Sequence, residues 1–173
     1  MMILRIFVVA AVVLAMLLGR SERGSALGAE KANAAQAKVK RGRYVTLIGG
    51  CNDCHTPTFE QVAGAVPDSA WLTGSSMGFR GPWGTSYPVN LRSMVQRMSE
   101  KEWVNFVSTY EALPPMPWWA LHAMDREDLS AVYQFVKSLG PAGEEAPAPL
   151  PPDVEPTTPY ISFMPVFPVG VNE

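Results

Sequence analysis

The sequence is poor in cysteine and has no excess of one charge. Its 173 residues contain only two cysteines, Cys51 and Cys54, so neither is left over for a distant disulfide. The 14 Lys and Arg residues face 16 Asp and Glu, for a formal net charge of -2 without runs of like charge. This balance excludes a nucleic-acid binder of the basic-patch kind. A hydrophobic content of 47% excludes a disordered chain, and the length predicts one domain with extensions.

A hydrophobic run long enough for a comfortable membrane span is also missing. The apolar residues 6–18 fall short of the roughly 20 that a spanning helix needs. Arg5 precedes the run and small residues follow it, which is typical of a secretory signal. We predict a signal peptide over residues 1–28 and a periplasmic location. An uncleaved N-terminal anchor is the alternative, and only that anchor would bring the chain to the membrane.

The most informative stretch is the C-x-x-C-H run Cys51-Asn52-Asp53-Cys54-His55. It offers two thiols on one turn of backbone, followed at once by an imidazole that can ligate a metal over that turn. This pattern is typical of c-type haem attachment, in which the thiols add to the two vinyl groups and the histidine binds iron. The sequence therefore predicts one covalent haem c on Cys51 and Cys54, with His55 as an axial iron ligand.

Two other uses of the run are less favourable. Zinc accepts thiolate and imidazole, and His122 could complete a set with the run. However, Cys54 and His55 are adjacent, and both would have difficulty reaching one ion with good angles. A thioredoxin-like dithiol would need a βαβ context, which the surrounding sequence does not provide.

A haem electron carrier needs a second axial ligand, usually Met or His. Met116 is the favoured candidate because three prolines surround it, hold its backbone extended and limit the entropy it can lose. The alternatives are ligation by His122, or a five-coordinate iron with Met116 packed on the neighbouring tryptophans. Met94 and Met98 are four residues apart in a stretch that fits a short helix, so we interpret them as packing residues.

Apolar spacing and end signals predict three helices and no strand. The helices cover residues 38–48, 99–110 and 125–139. The first places Tyr44, Leu47, Ile48 and Cys51 on one face and ends at Gly49 and Gly50. Between the first two helices, residues 56–98 are rich in Gly and Pro and are predicted to be loop. The expected fold class is therefore all-α.

Three side chains outside the helices are candidate haem contacts. Trp83 supplies apolar surface from the long loop, and Trp118 follows the predicted Met116 ligand. Arg80 suits pairing with a haem propionate, and a plain solvated surface charge is the equal alternative.

Composition divides the mature chain in two. We predict one haem-binding domain over residues 29–140 and a Pro-rich extension over residues 141–173, which holds nine of the 16 prolines. The extension reads as an extended, partly polyproline-like segment. Its apolar end, residues 160–167, is predicted to dock on its own domain or on a partner.

The sequence resembles monohaem class I cytochromes c, and more narrowly the electron-accepting cytochrome subunits of bacterial periplasmic dehydrogenases. The resemblance covers residues 40–140. It rests on the stretches Gly49–Pro57, Gly81–Leu91, Pro114–Trp118 and Val136–Leu139. After Leu91 the sequence lacks the longer acidic, glycine-containing insertion that is usual in those subunits.

The resemblance implies attachment at Cys51 and Cys54, axial ligation by His55 and Met116, and the all-α class I cytochrome c fold, in which helices and loops wrap around the haem. It further implies electron transfer between a dehydrogenase and a respiratory acceptor, with no substrate transformed, so the chain is not expected to be an enzyme. The alternative is a haem c enzyme or sensor with an open sixth position that takes peroxide or a gas. The identity of Met116 as a ligand separates these two functions.

Overall fold

The structure, a computed structural model, describes residues 26–166. The predicted signal peptide lies outside the described residues except for positions 26–28, and Phe167 lies outside them too. The chain divides into two compact units, residues 1–38 and 39–173. Residues 26–38 of the first unit are helical, and all contacts described below belong to the second unit. None of the helices in the described range combines the length and the apolar character needed to cross a membrane.

Six α-helices and one 3-10 turn lie within residues 26–166. The helices are α1 (26–48), α2 (Cys51–His55), α3 (Leu91–Gln96), α4 (Glu100–Val107), α5 (Trp118–Ala123) and α6 (Arg126–Ser138), and the turn is Asp68–Ala70. The predicted helices over 38–48, 99–110 and 125–139 correspond to α1, α4 and α6. The sequence missed α5, and the predicted long loop contains α3 as well as two strands.

Two local signals and one distant side chain account for the ends of three of these helices. Gly50 adopts φ +68°, a left-handed conformation that glycine tolerates, and it separates α1 from α2. At the start of α4 the Ser99 hydroxyl accepts from the Glu102 amide, and the Glu102 carboxylate accepts from the Ser99 amide. At the end of α6 the buried Arg92 guanidinium donates to the carbonyls of Leu139 and Gly140. One side chain therefore caps the start of α4, and another caps the end of α6.

The core packs α4 and α6 together with α3 and the second half of α1. Its most deeply buried apolar residues, with exposures of 5% or less, are Val45, Trp71, Leu72, Val95, Trp103, Val107, Leu129, Ala131, Phe135 and Val136. In α6 the buried residues Leu129 and Val136 lie seven positions apart, on the face that packs into this core. Met94 and Met98 pack partly buried against this core, as their interpretation as packing residues requires.

The apolar residues that share the predicted face of α1 do not lie in this core. Tyr44, Leu47 and Ile48 are exposed, whereas Gly42 and Val45 are buried. A Cβ on Gly42 would lie 1.9 Å from the Ala131 carbonyl oxygen of α6, so the two helices cross with their backbones in close contact. Apolar spacing cannot detect a contact face centred on a glycine, so the sequence did not indicate that α1 packs on α6 through Gly42.

The prediction of an all-α fold was also wrong, because the chain builds a small mixed sheet beside the helices. Strands β1 (Gly78–Gly81) and β2 (Gly84–Ser86) form an antiparallel hairpin, and β3 (Tyr160–Ser162) pairs with β1 in parallel. The order is β2-β1-β3. The strands are only three or four residues long, and β1 begins and ends with glycine. Neither alternation nor length marked them, and the β1–β3 pairing joins segments about 80 residues apart.

Candidate haem site

The two cysteines lie on one short helix that a glycine turn orients. Helix α2 starts directly after Gly50, and both Cys51 and Cys54 are free, half-buried thiols within it. Burial raises the pKa of Cys51 to about 11 and also raises the pKa of Cys54. Redox-active dithiols have a lowered pKa, because the thiolate is the reactive form. The environment of these thiols therefore disfavours the thioredoxin-like alternative.

His55 is buried and fixed in one orientation. Its Nδ1 lies 2.8 Å from the carbonyl oxygen of Val89, which can only accept, so Nδ1 carries the proton and donates. The lone pair is thereby assigned to Nε2, the arrangement that a metal-ligating histidine needs. Burial lowers the pKa of His55, which keeps the ring neutral. The imidazole is thus held ready to ligate through Nε2.

The Val89 carbonyl is itself held by a tight crossing of two loops. Gly74 donates its amide to the His55 carbonyl at 2.9 Å, and Ser75 donates to the Pro88 carbonyl at 3.1 Å. Gly74 adopts φ +77°, and a Cβ there would lie 2.7 Å from the Asn90 amide nitrogen. A glycine is required at this crossing, and it brings the loop after α2 against the loop that follows β2.

Met116 is half-buried in the turn before α5. Its amide donates to the Leu113 carbonyl at 3.3 Å, and its carbonyl accepts from the Trp118 amide at 2.9 Å. The Ser86 hydroxyl of β2 donates to the Pro114 carbonyl at 2.5 Å and ties the turn to the sheet. His55 and the Met116 turn are therefore both hydrogen-bonded to the same stretch of chain, residues 86–89.

Trp83 presents a buried donor that no described residue satisfies. Its Nε1 has no hydrogen-bond partner within residues 26–166, while its ring lies 6.0 Å from that of Phe163. Leaving such a group unpaired costs about 1–3 kcal/mol. An anionic acceptor such as a haem propionate would satisfy it. The two thiols, the oriented imidazole and this unpaired donor are the kinds of group that would hold such a cofactor.

Large apolar side chains near the attachment and ligand residues lie exposed. Ile48 is 62% exposed three residues before Cys51, and Trp119 is 61% exposed three residues after Met116. Leu47, Val89 and Leu113 are also exposed. Such surface beside a site is typical of residues that cover an apolar ligand.

The other two candidate haem contacts, Arg80 and Trp118, have partners within the protein. Arg80 donates to the Val154 carbonyl at 2.7 Å and pairs with Glu155 at 3.0 Å, so its guanidinium is engaged by the C-terminal segment. It is therefore not a plain solvated charge. Trp118 is half-buried, with its ring 4.9 Å from that of His122.

The alternative ligand residues are placed less favourably. His122 is exposed on α5, and its Nε2 lies 3.3 Å from the Tyr110 carbonyl oxygen. Among the residues that the structure describes, no three or more His, Cys, Asp or Glu side chains are grouped so as to hold a metal ion. The four residues considered for zinc are therefore not gathered into such a site.

Sequence reasoning missed Val89 and Ser86. Val89 acts through a backbone carbonyl, which has no side-chain signal, and Ser86 is an ordinary strand residue until the fold places Pro114 beside it. Comparison with known proteins adds no assignment: the chain matches no protein-family model, no curated protein and no solved structure.

Proposed function

We propose that the chain is a periplasmic c-type cytochrome that transfers single electrons through one covalent, His/Met-ligated haem. The observation that carries the proposal is the fixed orientation of the His55 imidazole beside the two thiols. His55 follows two free thiols on one helical turn, and it is buried with Nδ1 donating to Val89, so that Nε2 is available for iron. The unpaired Nε1 of Trp83 supports the same cofactor.

Each residue has a separate task in this function. Cys51 and Cys54 would hold the cofactor by thioether bonds, and His55 and Met116 would ligate its iron. The Val89 carbonyl fixes the tautomer and the ring plane of His55. Bound haem supplies one-electron oxidation and reduction of its iron. A protein that keeps both ligands in place in both states needs little rearrangement on electron exchange.

The proposed partners are redox proteins of the same compartment, with a periplasmic dehydrogenase as the donor and a respiratory component as the acceptor. This part rests on the resemblance of the motifs. The chain itself transforms no substrate in the proposed function.

The decisive experiment expresses the full-length chain in a host that exports proteins and matures c-type cytochromes. Wild-type protein should retain haem after denaturation and acid-acetone extraction, because thioether bonds survive both. The Cys51→Ala/Cys54→Ala variant should lose it. Wild-type protein from which all haem is extracted would refute covalent attachment.

A second pair of variants tests the ligand. Met116→Leu keeps the side-chain volume but removes the sulfur, so it should abolish the near-infrared Met-to-iron band and open the iron to carbon monoxide. Met164→Leu is the matched control, since Met164 is exposed in the C-terminal segment. Carbon monoxide binding by the reduced wild-type protein would instead indicate the open-site enzyme or sensor.

A further inference from the structure

The C-terminal segment holds the β1–β2 hairpin from both edges. On the outer edge of β2, Thr85 and Leu150 exchange two backbone hydrogen bonds, of 2.8 and 2.9 Å. On the edge of β1, β3 pairs in parallel, and the Phe163 amide donates to the Arg80 carbonyl at 2.7 Å. A Cβ on Gly84 would lie 2.1 Å from the Leu150 carbonyl oxygen. The hairpin is thus enclosed by one continuous stretch of chain.

Side chains add anchors along the same stretch. Asn90 donates from Nδ2 to the Ala142 and Glu144 carbonyls, at 2.8 and 3.1 Å. The Tyr87 hydroxyl lies 3.0 Å from Thr158 Oγ1. With the Arg80 contacts already described, residues 142–163 are attached to residues 78–90 at intervals over nearly their whole length. We call residues 142–163 the strap.

Residues 78–90, which the strap holds, form hydrogen bonds with His55 and with the turn before Met116. Val89 accepts from His55, and Ser86 donates to Pro114, two residues before Met116. A hydroxyl has one proton, and the alternative acceptor for Ser86, the Phe79 carbonyl, is 3.5 Å away against 2.5 Å for Pro114. The hydroxyl therefore serves the Met116 turn. Ser86 is only 8% exposed, so water competes little for this bond.

We infer that the strap positions the axial ligands by fixing residues 78–90, and that Ser86 is the positioning residue for Met116. This inference rests on the proposed function. Exchange of Met116 for an external ligand requires the 113–118 turn to move away. Breaking the Ser86–Pro114 bond, or loosening the strand that carries Ser86, lowers the free energy of that movement without altering any group that contacts iron.

The test uses the full-length ferric holoprotein and imidazole, an external ligand that competes with Met116. Loss of the near-infrared Met-to-iron band reports the exchange. Ser86→Ala should bind imidazole roughly five- to tenfold more tightly than wild type, the factor expected for one lost hydrogen bond. Ser138→Ala is the matched control, because the Ser138 hydroxyl donates within its own helix, to the Phe135 carbonyl. It should bind imidazole as wild type does.

A second pair of variants tests the strap itself. Leu150→Pro removes the amide that donates to the Thr85 carbonyl and should also tighten imidazole binding. Ala148→Pro, two residues earlier in the strap, is the control: it is exposed, and none of the loop backbone hydrogen bonds described involves its amide. Urea unfolding of each variant separates a general loss of stability from ligand release in the folded protein.

The outcomes separate this inference from the function. Unchanged imidazole affinity in Ser86→Ala overturns the inference. An imidazole affinity that changes equally in Ser86→Ala and Ser138→Ala also overturns it, and so does an equal change in Leu150→Pro and Ala148→Pro. In each of these cases the wild-type Met-to-iron band still upholds the proposed function. A wild-type protein without covalent haem or without that band overturns both.

Discussion

Alanine at Gly42 should weaken the crossing of α1 and α6 and destabilise the protein. The new Cβ would lie 1.9 Å from the Ala131 carbonyl oxygen and 2.8 Å from Phe135 Cβ. The first distance falls about 1.5 Å short of the 3.4 Å at which ordinary van der Waals contact begins, so the backbones must separate. Carbonyl oxygen belongs to the helix backbone and cannot rotate away as a side chain could.

The magnitude follows from two opposing terms. Alanine is favoured over glycine within a helix by about 1 kcal/mol. Overpacking a close contact costs about 1–3 kcal/mol and occasionally more. Because the overlap at Gly42 is with rigid backbone, we place the cost at the upper end. The expected net loss is about 2 kcal/mol, which lowers the melting temperature by roughly 5–8 °C for a chain of this size.

The assay is thermal and urea unfolding of the mature protein, followed by far-ultraviolet circular dichroism. Lys40→Ala, on the exposed side of the same helix, is the control and should change stability by less than about 0.5 kcal/mol. An unfolding midpoint for Gly42→Ala equal to that of wild type, or higher, would refute the close crossing.

Three further predictions concern other parts of the molecule. Under the proposed function, Trp83→Phe should lower the reduction potential, because loss of the indole donor would leave a propionate charge uncompensated. Trp103→Phe also removes an indole N–H that is buried and unpaired within residues 26–166, and it should not change the potential; equal shifts would contradict the assignment. The hydrogen bond from Arg41 lowers the pKa of Asp128. The stability that this pair contributes is therefore present above the unfolded pKa of about 3.9 and is lost as pH falls through the lower folded value. Urea unfolding of Asp128→Asn should show a deficit at pH 7 that disappears in acid, and a constant deficit would argue against the pair. Ser99→Ala should cost about 1 kcal/mol in the same unfolding assay through loss of the α4 cap, and an unchanged midpoint would show the cap to be dispensable.

Elements that depend on neighbouring residues were predictable from the sequence. The capping box at Ser99, the turn at Gly50 and the apolar face of α6 each involve residues within one or two helical turns. The strands and the buried face of α1 were not predictable, because they depend on distant segments. β1 becomes a strand through partners in β2 and β3, and Gly42 becomes an interface residue only because Ala131 lies opposite it.

The same division applies to the candidate site. The groups proposed to do the chemistry are visible in the sequence: two thiols and an imidazole at fixed spacing, and a methionine between prolines. The groups that orient them are not visible. The Val89 carbonyl reaches His55 across 34 positions, and Ser86 reaches Pro114 across 28. A backbone acceptor and an ordinary serine have no pattern from which such roles could be predicted.

The proposed site forms in two steps that depend on different parts of the chain: attachment of the haem and orientation of its ligands. Under the proposed function, attachment at Cys51 and Cys54 needs only the Gly50 turn and α2, which depend on neighbouring residues. Orientation of His55 and Met116 needs residues 86–89 in place, and these are held by a strap that begins about 50 residues further along the chain. Contacts so distant must overcome the entropy of loop closure before they stabilise anything. Under the proposed function, a variant with a weakened strap should therefore still carry covalent haem, and it should lose Met116 ligation first.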